Sequence, residues 1–137
     1  MEDIKIKVTV TPSLNKIKGR WSRINWNKRY RRQLNGYERY ALKIPQKMVV
    51  NIIRHGSRAL DKDNLAGGCK SLIDAIRRAG LIVDDSPKWV DLCFSQIATP
   101  RELEHTEVII KPAEAEREQG TSMANERTIS ARPAPKL

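Results

Sequence analysis

The sequence predicts a mixed α/β fold, with one small domain over residues 1–111 and the element order β-α-β-α-β-β around a single mixed sheet. Three observations support this. Short runs alternate apolar and polar residues as strands do, apolar residues recur at helical spacing between such runs, and 137 residues with 39% apolar content suffice for one modest core. Residues 112–137 have few large apolar side chains, which predicts a disordered tail.

The first half of the chain contains two predicted strands and one predicted helix. Residues 4–10 alternate apolar and polar side chains and end at a Thr-Pro pair, which predicts a half-buried strand. Residues 13–26 are predicted to form a polar, basic loop, after which Asn27 is expected to cap a helix that runs to about Leu42. Residues 48–55 are predicted to form the second strand.

The second half begins with another predicted helix. It starts at Asn64 or at Cys69, depending on how the two intervening glycines behave, and ends at Gly80, a residue type suited to the left-handed position after a helix. Its apolar residues form one stripe at 100° per residue, so this stripe is expected to face the core.

Short apolar runs account for the rest of the predicted sheet. Residues 81–83 are expected to form a short buried strand or the entry to one, and residues 88–98 and 106–111 an antiparallel pair. No apolar run approaches the roughly 20 residues that a membrane span requires, so no span is expected.

Positive charge is concentrated at the start of the chain: the first 58 residues hold 15 Lys/Arg against 3 Asp/Glu, whereas residues 59–111 hold 7 against 9. The formal charge of +10 favours an anionic partner, most simply a polyphosphate backbone, with acidic proteins and membrane surfaces as alternatives. The densest cationic stretch consists of Lys16, Lys18, Arg20, Arg23, Lys28, Arg29, Arg31 and Arg32. Trp21, Trp26 and Tyr30 are interleaved with it, which suits DNA binding, although a place in the core is an equal alternative for these rings.

The N-terminus has neither the basic nor the apolar region that directs export, so a reducing cytoplasm is expected. There Cys69 and Cys93 are expected to be thiols that act as small buried apolar side chains. Together with His55 and His105 they offer no zinc-binding spacing.

Clustered carboxylates in this cationic chain predict a metal site. Asp61 and Asp63 precede the second helix, and Asp85 follows it, where the chain has returned to the same neighbourhood. Phosphodiester hydrolysis needs an activated water and relief of the charge on the leaving oxygen, and Mg²⁺ held by carboxylates supplies both. Lys70 is within reach of the same place. Close approach of a phosphate backbone would explain residues 67–68, two glycines that each cost a helix roughly 1 kcal/mol relative to alanine.

The same charged residues also have an ordinary structural interpretation, which remains open. It consists of a helix cap at Asp61 or Asp63, an i,i+4 pair between Lys70 and Asp74, and a turn at Asp84 and Asp85. Two arguments count against it: Lys before Asp is the less favourable order for a helical pair, and capping requires one acid rather than four.

These motifs resemble the signature of the RusA-type Holliday junction resolvases found in bacteria and their prophages. The resemblance lies in Arg58-x-Leu-Asp-x-Asp-Asn-Leu, then Lys70-x-x-x-Asp-Ala, then Gly80-Leu-Ile-x-Asp-Asp-Ser. Residues 11–16 also resemble the Pro-Ser-x-Asn loop that follows the first strand in that family. The similarity covers roughly residues 3–111.

The resemblance implies a homodimeric, Mg²⁺-dependent endodeoxyribonuclease, with Mn²⁺ as the alternative ion, that makes paired symmetrical cuts in four-way junctions during DNA recombination and repair. It assigns metal binding to Asp61, Asp63 and Asp85, and an essential catalytic role to Lys70. Supporting positions are Asn64, Asp74 and Asp84, and Asn15 and Arg58 join the cationic stretch as expected DNA contacts. The alternatives are a non-catalytic basic module that binds junctions or RNA, and a structural protein that coats nucleic acid.

Overall fold

The computed structural model describes residues 3–113, in which the helices and a four-stranded mixed sheet follow the predicted order, except that the predicted second helix is divided in two at Cys69. The strands are β1 (Ile4–Val8), β2 (Met48–Gly56), β3 (Val90–Ala98) and β4 (His105–Pro112), and the helices are α1 (Gly19–Gln33), α2 (Lys62–Gly68) and α3 (Lys70–Arg78). The predicted tail lies outside the described residues except for its first two, of which Ala113 donates its N–H to the Lys47 carbonyl at 3.0 Å. Over the described range, no helix has both the length and the apolar character to cross a membrane.

The strand order across the sheet is β1-β4-β2-β3. Strand β4 pairs antiparallel with β1 and β2, and β2 pairs parallel with β3. The prediction that residues 88–98 and 106–111 pair with each other is therefore wrong, because β2 lies between them. Apolar alternation identifies a strand but not its neighbour, and β2 takes a central place because it is the most thoroughly buried strand.

The core lies on one face of the sheet, where the helices pack. Met48, Val50 and Ile52 of β2 are fully buried and belong to one apolar cluster with Leu72 and Ile76 of α3. The opposite side chains of β2 and β4 are mostly only half-buried. Helix α3 therefore presents its apolar stripe to the sheet as predicted.

Helix α1 does not follow its predicted boundaries: it begins at Gly19, inside the predicted loop 13–26, and ends at Gln33 rather than near Leu42. Trp26, Tyr30 and Leu34 follow one another at four-residue spacing and so lie on one helical face.

That face packs on the core. Tyr30 is fully buried, Leu34 is 2% exposed, and Trp26 packs against the cluster. Tertiary packing of these three side chains outweighs the polar character of the helix, whose charged residues had indicated a loop. Gly36, with φ of 99°, then turns the chain away from the helical direction.

Residues 81–83 form bends rather than the predicted strand. Leu81 and Ile82 are buried because they fill the core at the end of α3, not because they pair in the sheet. The two positions beside β2 are already occupied by β3 and β4.

The two adjacent glycines of α2 leave space for another segment of the same protein. They do not leave it for the DNA backbone that the sequence analysis had predicted. A Cβ at Gly68 would overlap the carbonyl of Pro12, and one at Gly67 would lie 2.9 Å from the Leu14 side chain. The segment that carries Leu14–Lys16, a single turn of 3-10 helix, therefore lies directly against α2.

Candidate functional site

A cleft of about 560 Å³ lies between the segment that follows β1 and the segment that follows β2. Four of the predicted DNA-contacting or supporting residues line it, namely Asn15, Lys16, Arg58 and Asn64. Its wall also includes Leu60, which directly precedes Asp61 in the chain. Part of the predicted DNA-contacting set and the first predicted metal ligand are thus neighbours in the fold.

Arg54 is a cleft residue that the sequence analysis did not identify. It is 8% exposed, its Nε donates to the Thr11 carbonyl at 2.8 Å, and its Nη1 donates to the Arg58 carbonyl at 2.9 Å. Within residues 3–113, no carboxylate oxygen lies within 4.0 Å of its guanidinium. A buried cation held by neutral carbonyls keeps its charge available to an anion in the cleft. The signal available in the sequence was an arginine among the inward-facing positions of β2, which are otherwise apolar or glycine.

Asp61 is the N-cap of α2, which confirms one of the open structural interpretations. Its Oδ1 accepts the backbone N–H of Asn64 at 2.8 Å, and its Oδ2 accepts the Asn64 side-chain amide at 3.1 Å. A carboxylate offers about four lone-pair positions, and Asp61 is exposed. Capping therefore leaves acceptor capacity for a ligand. Asp63 stands in the first turn of the same helix and is also exposed.

Lys70 is the first residue of α3, directly after the helical break at Cys69, and it is exposed. The open interpretation of an ion pair between Lys70 and Asp74 is not observed, since among the described residues neither takes part in a salt bridge. The ammonium group of Lys70 is therefore available to another anion.

Asp84 and Asp85 lie in the loop from α3 to β3, where Asp84 is half-buried and Asp85 exposed. They directly precede the turn in which the Trp89 N–H reaches the Ser86 carbonyl at 2.9 Å.

Carboxylate oxygens are the ligands that Mg²⁺ prefers, so the predicted donor set suits the ion chemically. The arrangement does not: in the described part of the chain, no three His, Cys, Asp or Glu side chains are grouped so that they could hold one metal ion. The three predicted ligands, Asp61, Asp63 and Asp85, thus do not stand together as a preformed site.

The predicted cationic surface lies mostly on α1, and its members are exposed. They are Arg20, Arg23, Lys28, Arg29, Arg31 and Arg32, with Lys18 at the N-cap. Helix α1 contains no acidic residue, so these charges repel one another and favour an anionic partner.

The aromatic side chains of α1 divide between core and solvent. Trp26 stacks on buried Tyr30 with ring centroids 5.7 Å apart, and the Arg29 guanidinium lies 4.6 Å from the Trp26 ring centroid. Trp26 also lines the cleft, so α1 borders it. Trp21 is 76% exposed. The alternative of a place in the core is therefore right for the Tyr30 ring and for most of the Trp26 ring. The Trp21 ring, in contrast, is exposed at the surface.

One carboxylate at the cleft holds its wall in place. The Oε2 of Glu104 accepts the Ser57 N–H at 2.6 Å and the Ser57 hydroxyl at 2.7 Å. These hydrogen bonds hold the pKa of Glu104 below its ordinary value. The negative charge of Glu104 is thus already engaged by hydrogen bonds from Ser57, at the start of the loop that leads from β2 to Asp61.

Buried polar groups anchor the other wall. The Tyr30 hydroxyl donates to the Thr9 carbonyl at 3.1 Å, and the Thr11 N–H donates to the Thr106 hydroxyl at 2.9 Å. Burial raises the pKa of the Cys69 thiol to about 11, so Cys69 stays protonated at neutral pH. Cys93, in contrast, is exposed, which corrects the prediction that both cysteines are buried.

The functional interpretation rests on the geometry of the cleft and of the nearby acids. No protein-family model matches the chain, and no curated protein is similar enough to count as a relative.

Proposed function

We propose that the chain is a RusA-like endonuclease that hydrolyses phosphodiesters in branched DNA, with Mg²⁺ or Mn²⁺ as its cofactor and the cytoplasm as its location. One observation carries the proposal. A cationic cleft, in which buried Arg54 has no carboxylate oxygen within 4.0 Å among the described residues, adjoins the exposed carboxylate of Asp61. Nuclease chemistry needs this combination, because cations bind the phosphate and an acid acts beside it.

The cleft supports binding of a phosphate backbone. Lys16, Arg54, Arg58 and Arg101 line it, whereas Glu104, the one acid among the described residues that line it, is hydrogen-bonded to Ser57. The net positive charge of these lining residues suits an anion. Helix α1 extends the positive surface beyond the cleft, as the path of a long polyanion requires.

The proposed roles of the acids follow from their positions. Asp61 and Asp63 begin α2 beside the cleft, and Lys70 is available to stabilise the negative charge that builds on the phosphate. Asp85 lies in a separate loop. Its proposed role as a ligand therefore requires that loop to approach α2 when metal and DNA bind, so Mg²⁺ should bind more tightly in the presence of junction DNA than in its absence.

The proposed enzyme is a homodimer, because two symmetrical cuts in a two-fold symmetric junction require two equivalent active sites. Strand β3 stands at the edge of the described sheet, and the proposed interface is the segment from Trp89 to Phe94, most of which forms the first half of this strand. An edge strand offers unpaired backbone groups to a second copy. Sedimentation equilibrium of the full chain tests the dimer directly.

The decisive experiment is cleavage of a synthetic mobile four-way junction with Mg²⁺, followed by mapping of the products. The proposal expects paired symmetrical nicks, and it expects the Asp63→Asn variant to bind the junction without cutting it. A purified protein that leaves every branched substrate intact with Mg²⁺ and with Mn²⁺ would refute it.

A second candidate function is a non-catalytic module that binds nucleic acid, with acids that only shape loops. The capping role of Asp61 and the absence of a three-ligand group among the described residues favour it. It expects junction binding without cutting in both the wild type and the Asp63→Asn variant. A structural coat protein would instead bind linear duplex cooperatively, without preference for branches.

A further inference from the structure

A second groove, of about 660 Å³, lies between the start of β1 and the segment from residue 37 to 46. None of the residues that line it belongs to the cleft or to the predicted carboxylate set. Its lining combines aromatic, aliphatic and cationic side chains, and those used below are Lys5, Tyr37, Arg39, Tyr40, Lys43 and Ile44.

The apolar part of the groove is open to solvent. Tyr40 is 43% exposed and Ile44 is 72% exposed. Tyr37 and Tyr40 lie with ring centroids 6.0 Å apart and planes tilted by 43°. Tyr37 is half-buried against the core, so the exposed Tyr40 ring and the exposed Ile44 side chain present the surface on which a flat, partly apolar group can stack.

The charged part of the groove is cationic. Lys5, Arg39 and Lys43 stand around the rings, and the only acid among the described residues that line the groove is Asp3. No salt bridge within residues 3–113 involves any of the three cations. The Arg39 guanidinium lies 4.9 Å from the Tyr40 ring centroid, so charge and ring face are adjacent.

The wall of the groove is held by backbone contacts and does not need a ligand to form. The Leu42 N–H donates to the Gly80 carbonyl at 2.8 Å, and the Ala41 side chain lies against Gly80. At the other end, the Gly36 N–H donates to the Glu38 carboxylate at 2.7 Å. The rings are thus presented in a defined position, which lowers the entropic cost of binding.

We propose that this groove binds an unpaired segment of a DNA strand, with a base stacked on Tyr40 and backbone phosphates on Lys43, Arg39 and Lys5. Rings interleaved with cations match the two faces of an unpaired nucleotide, its base and its phosphate. A paired duplex keeps its base faces inside the helix and offers the rings nothing to stack on. The inference rests on the proposed function, because a branched substrate supplies unpaired nucleotides near its crossover.

The test is the affinity of the full chain for a fluorescein-labelled single-stranded 12-mer, measured by anisotropy in EDTA so that no cutting is needed. Tyr40→Ala is expected to weaken binding roughly tenfold. The control Ile97→Ala removes an exposed apolar side chain that lines neither the groove nor the cleft, and it is expected to change affinity less than about twofold. Equal losses in both variants, or a loss only in Ile97→Ala, would overturn the proposal.

A charge variant provides a second test, in case Tyr40→Ala weakens binding only because it impairs folding. Lys43→Gln should make the slope of log affinity against log salt shallower by about 0.7, because one phosphate contact to a single strand is lost. Lys88→Gln, an exposed lysine outside the groove, should leave the slope unchanged. Equal slopes for Lys43→Gln and the wild type would count against the groove.

Three further outcomes distinguish this proposal from a free-nucleotide site and from the proposed nuclease activity. A mononucleotide that competes as well as the 12-mer would show a free-nucleotide site and overturn the strand proposal. Wild-type protein that cuts junctions but binds single strands independently of Tyr40 would refute the groove and leave the nuclease standing. Binding that depends on Tyr40 in a protein that never cuts would support the groove and refute the nuclease.

Discussion

Asp61 illustrates, at the scale of one residue, how a cap and a ligand can share a side chain. Asparagine caps helices as well as aspartate does, but it lacks the charge that a divalent ion requires. We expect Asp61→Asn to keep the free energy of unfolding within about 0.5 kcal/mol of wild type and Asp61→Ala to lose about 1 kcal/mol. Both should abolish junction cleavage. Urea denaturation and product mapping check the two effects, and an active Asp61→Asn enzyme would exclude a metal role for this residue.

Arg54 joins the two walls of the cleft, so its loss should affect both stability and binding. Arg54→Met retains the apolar stem but leaves the Thr11 and Arg58 carbonyls without their donor. We expect the free energy of unfolding to fall by about 2 kcal/mol. If Arg54 also contacts a phosphate, the slope of log affinity for duplex DNA against log salt should become shallower by about 0.9 in this variant. An unchanged slope would restrict Arg54 to a structural role.

At the scale of the element, α2 and its glycines show that one helix can hold two glycines for different reasons. At Gly68 the obstacle is the rigid Pro12 backbone, whereas at Gly67 it is the side chain of Leu14, which is 46% exposed. We expect Gly68→Ala to destabilise the protein by about 2 kcal/mol or more. Gly67→Ala should cost little, because the gain in helix propensity of up to about 1 kcal/mol offsets a shift of Leu14.

Urea denaturation of these two variants, which differ by one position, measures the comparison. A Gly68→Ala protein as stable as Gly67→Ala would contradict the close packing of Pro12 on α2. Since Pro12 precedes the turn that carries Asn15 and Lys16, Gly68→Ala should also weaken DNA binding more than Gly67→Ala does.

For the whole molecule, the buried thiol of Cys69 makes stability depend on alkaline pH. Burial raises its pKa from 9.0 to about 11, so between these values the unfolded chain has lost a proton that the folded chain retains. Stability is therefore full below pH 9 and falls as pH rises towards 11, by on the order of 2–3 kcal/mol from this group. Burial of the Tyr30 hydroxyl, which also raises its pKa, adds to the loss at higher pH.

Urea denaturation at pH 7.5, 9 and 10.5 measures this dependence. Cys69→Ala should be less stable at neutral pH, because it leaves a cavity, but its stability should decline less steeply over the same range. Parallel pH profiles for the two proteins would show that the thiol does not titrate with folding.

The alternation of residues 4–10 was sufficient to predict β1, the apolar residues of 48–55 were sufficient to predict β2, and the apolar stripe of α3 was sufficient to predict the face it buries. These patterns are local, since a side chain's direction follows from the period of its own element. Helix α1 was misplaced because three apolar residues among many cations carry little local signal. Their contribution appears only when Trp26, Tyr30 and Leu34 meet the core.

The sequence by itself determined the fold class, the element order, the segregation of cation from carboxylate, and the candidate residues of the site. The tertiary structure decided which strands are neighbours, why the glycines of α2 are there, and that Arg54 lies in the cleft beside Asp61. It also left Asp85 in a loop of its own. The physical reason is the same throughout. Local periodicity and composition are properties of a segment, whereas pairing, close approach and convergence depend on residues distant in the chain.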